Sequence, residues 1–155
     1  MNHGLLLALG LVLAALLPGC APVTAARSGG GGPLLIIGGG LDDDIRPVYE
    51  RLLKLASAHG PPRLAIATAA TEPGYDERSE LAGKTEALRA WAPSLPVEII
   101  QRETSTMDTV AAIDRATGIL FTGGSQARIT GRYRPAGRDT AELLAMGRLL
   151  DRGGV

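Results

Sequence analysis

The chain reads as an α/β protein: a doubly wound, mostly parallel sheet with helices on both faces. Three observations predict it. Short apolar runs at 34–37, 64–68, 97–100 and 118–121 lack the polar alternation of a sheet with one wet face. Stretches with apolar residues at helical spacing follow them. Turn clusters such as Gly38-Gly39-Gly40, Gly60-Pro61-Pro62 and Thr122-Gly123-Gly124 separate the two kinds of segment.

The elements follow in order. Leu34–Ile37 reads as a first buried strand, closed by the three glycines. Ile45, Val48, Tyr49, Leu52, Leu55 and Ala56 recur as one helical face, with Asp44 expected as its N-cap. Leu64–Thr68 is the second strand, and a loop through Thr71–Tyr75 leads to a helix carrying Leu81, Leu88 and Trp91. Val97–Ile100 is the third strand, Met107–Ala116 a short helix, and Gly118–Phe121 the fourth strand. A last helix over about 139–151 lines up Leu143, Met146 and Leu150. Right-handed crossovers put ligands beyond the strand carboxyl ends, which selects the loops 38–44, 68–75 and 122–128.

The first residues do not belong to this pattern. Leu5–Leu17 is an apolar run too short for a membrane span and suited to a signal peptide, ending at Leu17-Pro18-Gly19-Cys20. The sole cysteine sits where a bacterial lipobox places it, so this stretch resembles a lipoprotein signal with Cys20 as the lipidated residue. The division expected is a signal peptide over 1–19, a lipidated N-terminus and flexible tether over 20–33, and the α/β domain over 34–155. Export follows, with attachment to a membrane through the lipid. One cysteine excludes an internal disulfide. Sixteen basic against sixteen acidic residues argue against a nucleic-acid partner held by phosphate neutralisation.

Few residues offer chemistry. Gly38-Gly39-Gly40 lies in the setting of a phosphate-binding turn, but it is neither G-x-G-x-x-G nor a P-loop, and three carboxylates stand beside it. A tight turn in which Gly39 and Gly40 let substrate approach the backbone is the reading retained. Asp42, Asp43 and Asp44 diverge at a helix entrance, so no metal site and no cofactor are expected. His59 precedes a strand, at the sheet edge opposite the ligand loops, and no G-x-S-x-G elbow occurs. The arginines at 128, 132, 134 and 138 read as solvated surface, with contact to an acidic polymer as the other option. Thr122-Gly123-Gly124-Ser125-Gln126 is the most informative segment. Two glycines at a strand end expose backbone N–H groups that can hold an oxyanion, and Gln126 adds an amide. An ordinary turn with Ser125 capping the next helix is equally compatible with these residues.

The order of Leu-Ile-Ile-Gly-Gly-Gly at 35–40, Ala-Thr-Ala-Ala-Thr at 67–71 and Ile-Leu-Phe-Thr-Gly-Gly-Ser-Gln at 119–126 resembles the cyanophycinase branch of the S51 serine peptidases. Gly153-Gly154-Val155 resembles the lead-in to that family's nucleophile strand. The resemblance implies a class I glutamine-amidotransferase-like α/β sandwich that hydrolyses a β-aspartyl-arginine polymer or aspartyl peptides. By position it makes Gly124 and the Ser125 amide oxyanion-hole donors and places Gln126 in the substrate pocket. The family commonly has Asp where this chain has Ser125. The nucleophile Ser and catalytic His would lie beyond Val155, so the resemblance implies an N-terminal portion, inactive as written. A non-catalytic lipoprotein binding a small ligand at the same edge of a flavodoxin-like sheet is the competing expectation, with a nucleotide binder behind it.

Overall fold

In the computed structural model, residues 31–37 and 42–155 are described. Their elements are α1 (Arg46–Ala56), β1 (Leu64–Ala67), α2 (Glu77–Trp91), β2 (Val97–Ile100), α3 (Thr106–Arg115), β3 (Gly118–Phe121), α4 (Gln126–Tyr133), a 3-10 turn at Pro135–Gly137, and α5 (Ala141–Asp151). The three strands form one parallel sheet in the order β2-β1-β3. β1 is its centre, with Leu64 in register with both Val97 and Gly118.

Alternation along β1 divides the core in two. Leu64 and Ile66 pack with Tyr49, Leu52, Leu81 and Leu88 of α1 and α2 on one face. Ala65 and Ala67 pack with Ala112 and Ile113 of α3 and Ala145 and Leu149 of α5 on the other. Small alanines on that second face allow α3 and α5 to lie close to the strand. The sheet is therefore covered on both sides, which is why all four β1 side chains are buried.

Three expectations change. Leu34–Ile37 is not a strand: Leu35 and Ile37 pack against the core, whereas Leu34 and Ile36 are 73% and 91% exposed. The reason lies in the edges. β1 is paired on both sides, and the outer side of β3 is engaged by Val155, which donates to Thr117 O at 3.1 Å and accepts from Ile119 N at 2.8 Å. The segment runs instead past α5, where Gly32 N donates to Leu150 O at 2.6 Å. Asp44 does not cap α1; Ile45 holds the cap position without a side-chain bond, and a proline sits in the first turn. Trp91 is 39% exposed, its indole lying 4.4 Å beneath the Arg46 guanidinium.

Candidate functional site

The carboxyl ends of the strands are joined by hydroxyls. Thr68, Thr71 and Thr122, all buried, continue β1 and β3. Thr68 N donates to Ile100 O and Thr122 N to Ala67 O, both at 3.0 Å, so the strand ladders extend into the loops. The Thr71 and Thr122 hydroxyls lie 3.0 Å apart, and Thr68 and Thr71 donate to Glu77 and Glu80, each at 3.2 Å. These glutamates occupy the first turn of α2, which Asp76 caps through the Arg78 and Ser79 amides. The bonds from Ser79 hold the Asp76 carboxyl below its ordinary pKa.

Gly124 follows directly, at φ +136°, against the Ala70 carbonyl, and a Cβ there would collide with that oxygen. The tight approach has a consequence for Ser125. Its N–H donates to Ala70 O at 2.9 Å, so the amide expected to hold an oxyanion already has a partner. Ser125 stands at the N-cap position of α4 without a side-chain cap bond. Gln126 opens α4, exposed, with its carbonyl accepting from Thr130 Oγ1 at 3.0 Å. Gly39, Gly40 and Cys20 lie outside the described residues.

Beside this turn is a cleft of about 550 Å³ lined by Ala69, Arg102, Thr104, Thr106, Arg128, Arg132, Thr140 and Glu142. Its three arginines differ in role. Arg102 donates to Thr71 O at 2.8 Å and to Glu77 at 3.1 Å. Arg128 reaches Ala70 O at 3.4 Å and Glu72 at 3.3 Å. Arg132 is mostly buried and donates to Gln101 O, Arg102 O, Thr104 O, the Thr109 hydroxyl and the Glu142 carboxylate. Arg132 is therefore a structural tie, not solvated surface. Arg134 pairs with Asp139 at 2.9 Å, and both are exposed.

The Asp triplet is held from one side. Asp43 accepts from Lys84 Nζ at 2.7 Å and from the Tyr49 hydroxyl at 3.5 Å. Burial lowers the Lys84 pKa, but the Asp43 bond and the charges around it leave it above its ordinary value. Burial also raises Tyr49. His59 is exposed at the opposite edge of the sheet, against Gly153, where a Cβ would strike its ring.

Sequence reasoning missed Arg102, Thr104 and Thr106. The signal was present: the carboxyl-end rule applied to Val97–Ile100 selects the loop that begins at Gln101. It also missed the Thr68–Thr71–Thr122 network, because buried hydroxyls in a turn look like ordinary turn residues.

No family model matches the chain. Among solved structures, one described as "Crystal structure of a peptidase from an acI-B1 Actinobacterium" is similar over 70% of this chain and 45% of that one, at 20% identity and a TM-score of 0.48. This chain thus spans less than half the length of that protein.

Proposed function

We propose that residues 34–155 are part of an exported serine-type peptidase of the S51, cyanophycinase-like kind, acting on β-aspartyl-arginine polymer or aspartyl peptides. The observation that carries this reading is the Gly123-Gly124 turn at the carboxyl end of β3, opening beside the arginine-lined cleft. In this reading the turn and the substrate-side groups come from residues 34–155, and the nucleophile serine and catalytic histidine come from outside them. The serine oxygen attacks the scissile carbonyl as the histidine takes its proton. The leaving amine then takes that proton, and water releases the acyl group. The Gly124 N–H is the turn's donor to the oxyanion; Ser125 contributes only if its amide leaves Ala70. Gln126 and the Gly39-Gly40 turn face the substrate, and no metal or cofactor enters. Lipid on Cys20 anchors the exported protein to a membrane.

The test is expression of the whole open reading frame that encodes this chain, assayed on cyanophycin and β-aspartyl dipeptides. Hydrolysis blocked by a serine-directed fluorophosphonate is expected; its absence overturns the reading. Incorporation of an alkyne fatty acid, lost in Cys20→Ala, checks the anchor.

A second reading is a non-catalytic module that binds a small ligand at the same edge. It is favoured by the Ser125 amide being bonded to Ala70. Ligand binding without turnover by the whole protein distinguishes it.

A further inference from the structure

The cleft beside the turn has a chemistry of its own, separate from Gly124, Ser125 and Gln126, none of which lines it. Its one lining carboxylate, Glu142, is 5% exposed and paired with Arg132 at 3.1 Å. That pair neutralises itself. Arg102 and Arg128 are different, because their partners Glu77 and Glu72 are not among the lining residues.

Both guanidiniums are anchored on one loop. Arg102 donates to Thr71 O and Arg128 to the neighbouring Ala70 O, which fixes the spacing of the two heads. Each does so through a single terminal nitrogen, Nη2 of Arg102 and Nη1 of Arg128, and the same nitrogen also serves its glutamate. A guanidinium carries five N–H groups, so each arginine keeps donors with no partner among the described residues. Glu72, with its side chain 72% exposed, is a weakly held internal anion that a ligand can displace.

Hydroxyls complete the lining. Thr104 Oγ1 accepts from Gln101 N, which leaves its own hydrogen to donate. Thr106 is the first residue of α3, so its hydroxyl and the positive end of that helix lie at the same cleft. The chain as a whole is neutral, so a general field does not draw anions to it; a local site is required.

We propose that this cleft binds a small ligand through a carboxylate or phosphate oxyanion held between Arg102 and Arg128, with Thr106 as an additional donor. The proposal goes beyond the peptidase reading and does not depend on it, since binding requires no nucleophile.

The test is titration of the full chain at low salt with inorganic phosphate in one arm and succinate in the other, followed by calorimetry. Saturable binding in either arm is expected, and the tighter arm names the oxyanion. Arg102→Gln and Arg128→Gln should each weaken it about tenfold, as expected for loss of a charge-assisted bond. Glu72→Gln should tighten it by removing the internal competitor. Arg134→Gln, outside the cleft, should leave it unchanged. If the arginine variants unfold, Thr106→Glu answers the same question: a carboxylate at a helix N-terminus is compatible with folding and should abolish binding. No saturable binding in either arm overturns the proposal, as does binding indifferent to Thr106→Glu. Binding weakened equally by Arg134→Gln also overturns it.

Discussion

Arg132 of α4 and Glu142 of α5 form an ion pair at 3.1 Å with both side chains largely out of solvent. The same guanidinium gathers two loop carbonyls and the Thr109 hydroxyl, so one residue fastens α4 and α5 to α3 and to the loop after β2. Removing one partner leaves a buried charge uncompensated. Arg132→Met and Glu142→Leu are each expected to cost about 3 kcal/mol, and the double variant less than the two together. Urea denaturation of the four proteins measures this directly.

Gly124 and Gly123 differ in what surrounds them. Gly124 has a positive φ and the Ala70 carbonyl against it, whereas a Cβ on Gly123 meets nothing within 4 Å. Gly124→Ala is expected to destabilise by about 2 kcal/mol through strain and displacement of the Ala70 loop. Gly123→Ala should fall within about 0.5 kcal/mol of the parent. Equal melting temperatures for the two variants would remove the case for a constrained turn.

Acid should act through Glu98. Its bond to Arg115 holds the carboxyl below its ordinary value of 4.5, and Arg63 adds to the effect from 3.9 Å. A depressed folded-state pKa gives stability present above the unfolded value and lost as pH falls through the folded one. The contribution should therefore fade below about pH 4.5 and amount to less than about 1 kcal/mol, since Arg115 is half exposed. Glu98→Gln should flatten the acid side of the stability–pH curve while leaving its slope above pH 6 unchanged.

Tyr133 carries a buried hydroxyl with no hydrogen-bond partner among the described residues, and its ring meets Phe121 edge-on at 6.0 Å. Burial pushes its pKa up to about 12. Tyr133→Phe keeps the ring contact and removes the orphan, so it should be neutral or stabilising by up to about 1 kcal/mol. A loss of stability in thermal melts would mean that the hydroxyl has an acceptor.

The sheet was legible because its strands are dense apolar runs that no helix periodicity explains. β1, β2 and β3 lie where Leu64–Thr68, Val97–Ile100 and Gly118–Phe121 were expected, and Leu81 and Leu88 are buried as their spacing implied. Leu34–Ile37 has the same composition yet pairs with nothing, because composition reports burial and not the availability of an edge. α4 escaped notice for the opposite reason. Its sequence Gln-Ala-Arg-Ile-Thr-Gly-Arg-Tyr has little apolar stripe, and it is held by the tertiary bonds of Arg132 and the buried Tyr133. The candidate site was half legible: the glycine turn announces itself, but a guanidinium bonded to distant carbonyls looks like any surface arginine.

The central place of β1 also constrains how the chain can fold. Its first partner begins at Val97 and its second only at Gly118, so the most apolar strand must wait for two crossovers before both its edges are satisfied. Loop closure precedes the reward, which makes folding slow relative to a helical protein of this size. Until β3 arrives, Leu64–Ala67 is a sticky, half-paired template. For an exported protein, the interval between synthesis and completion of this sheet is the period in which an escorting chaperone would matter most.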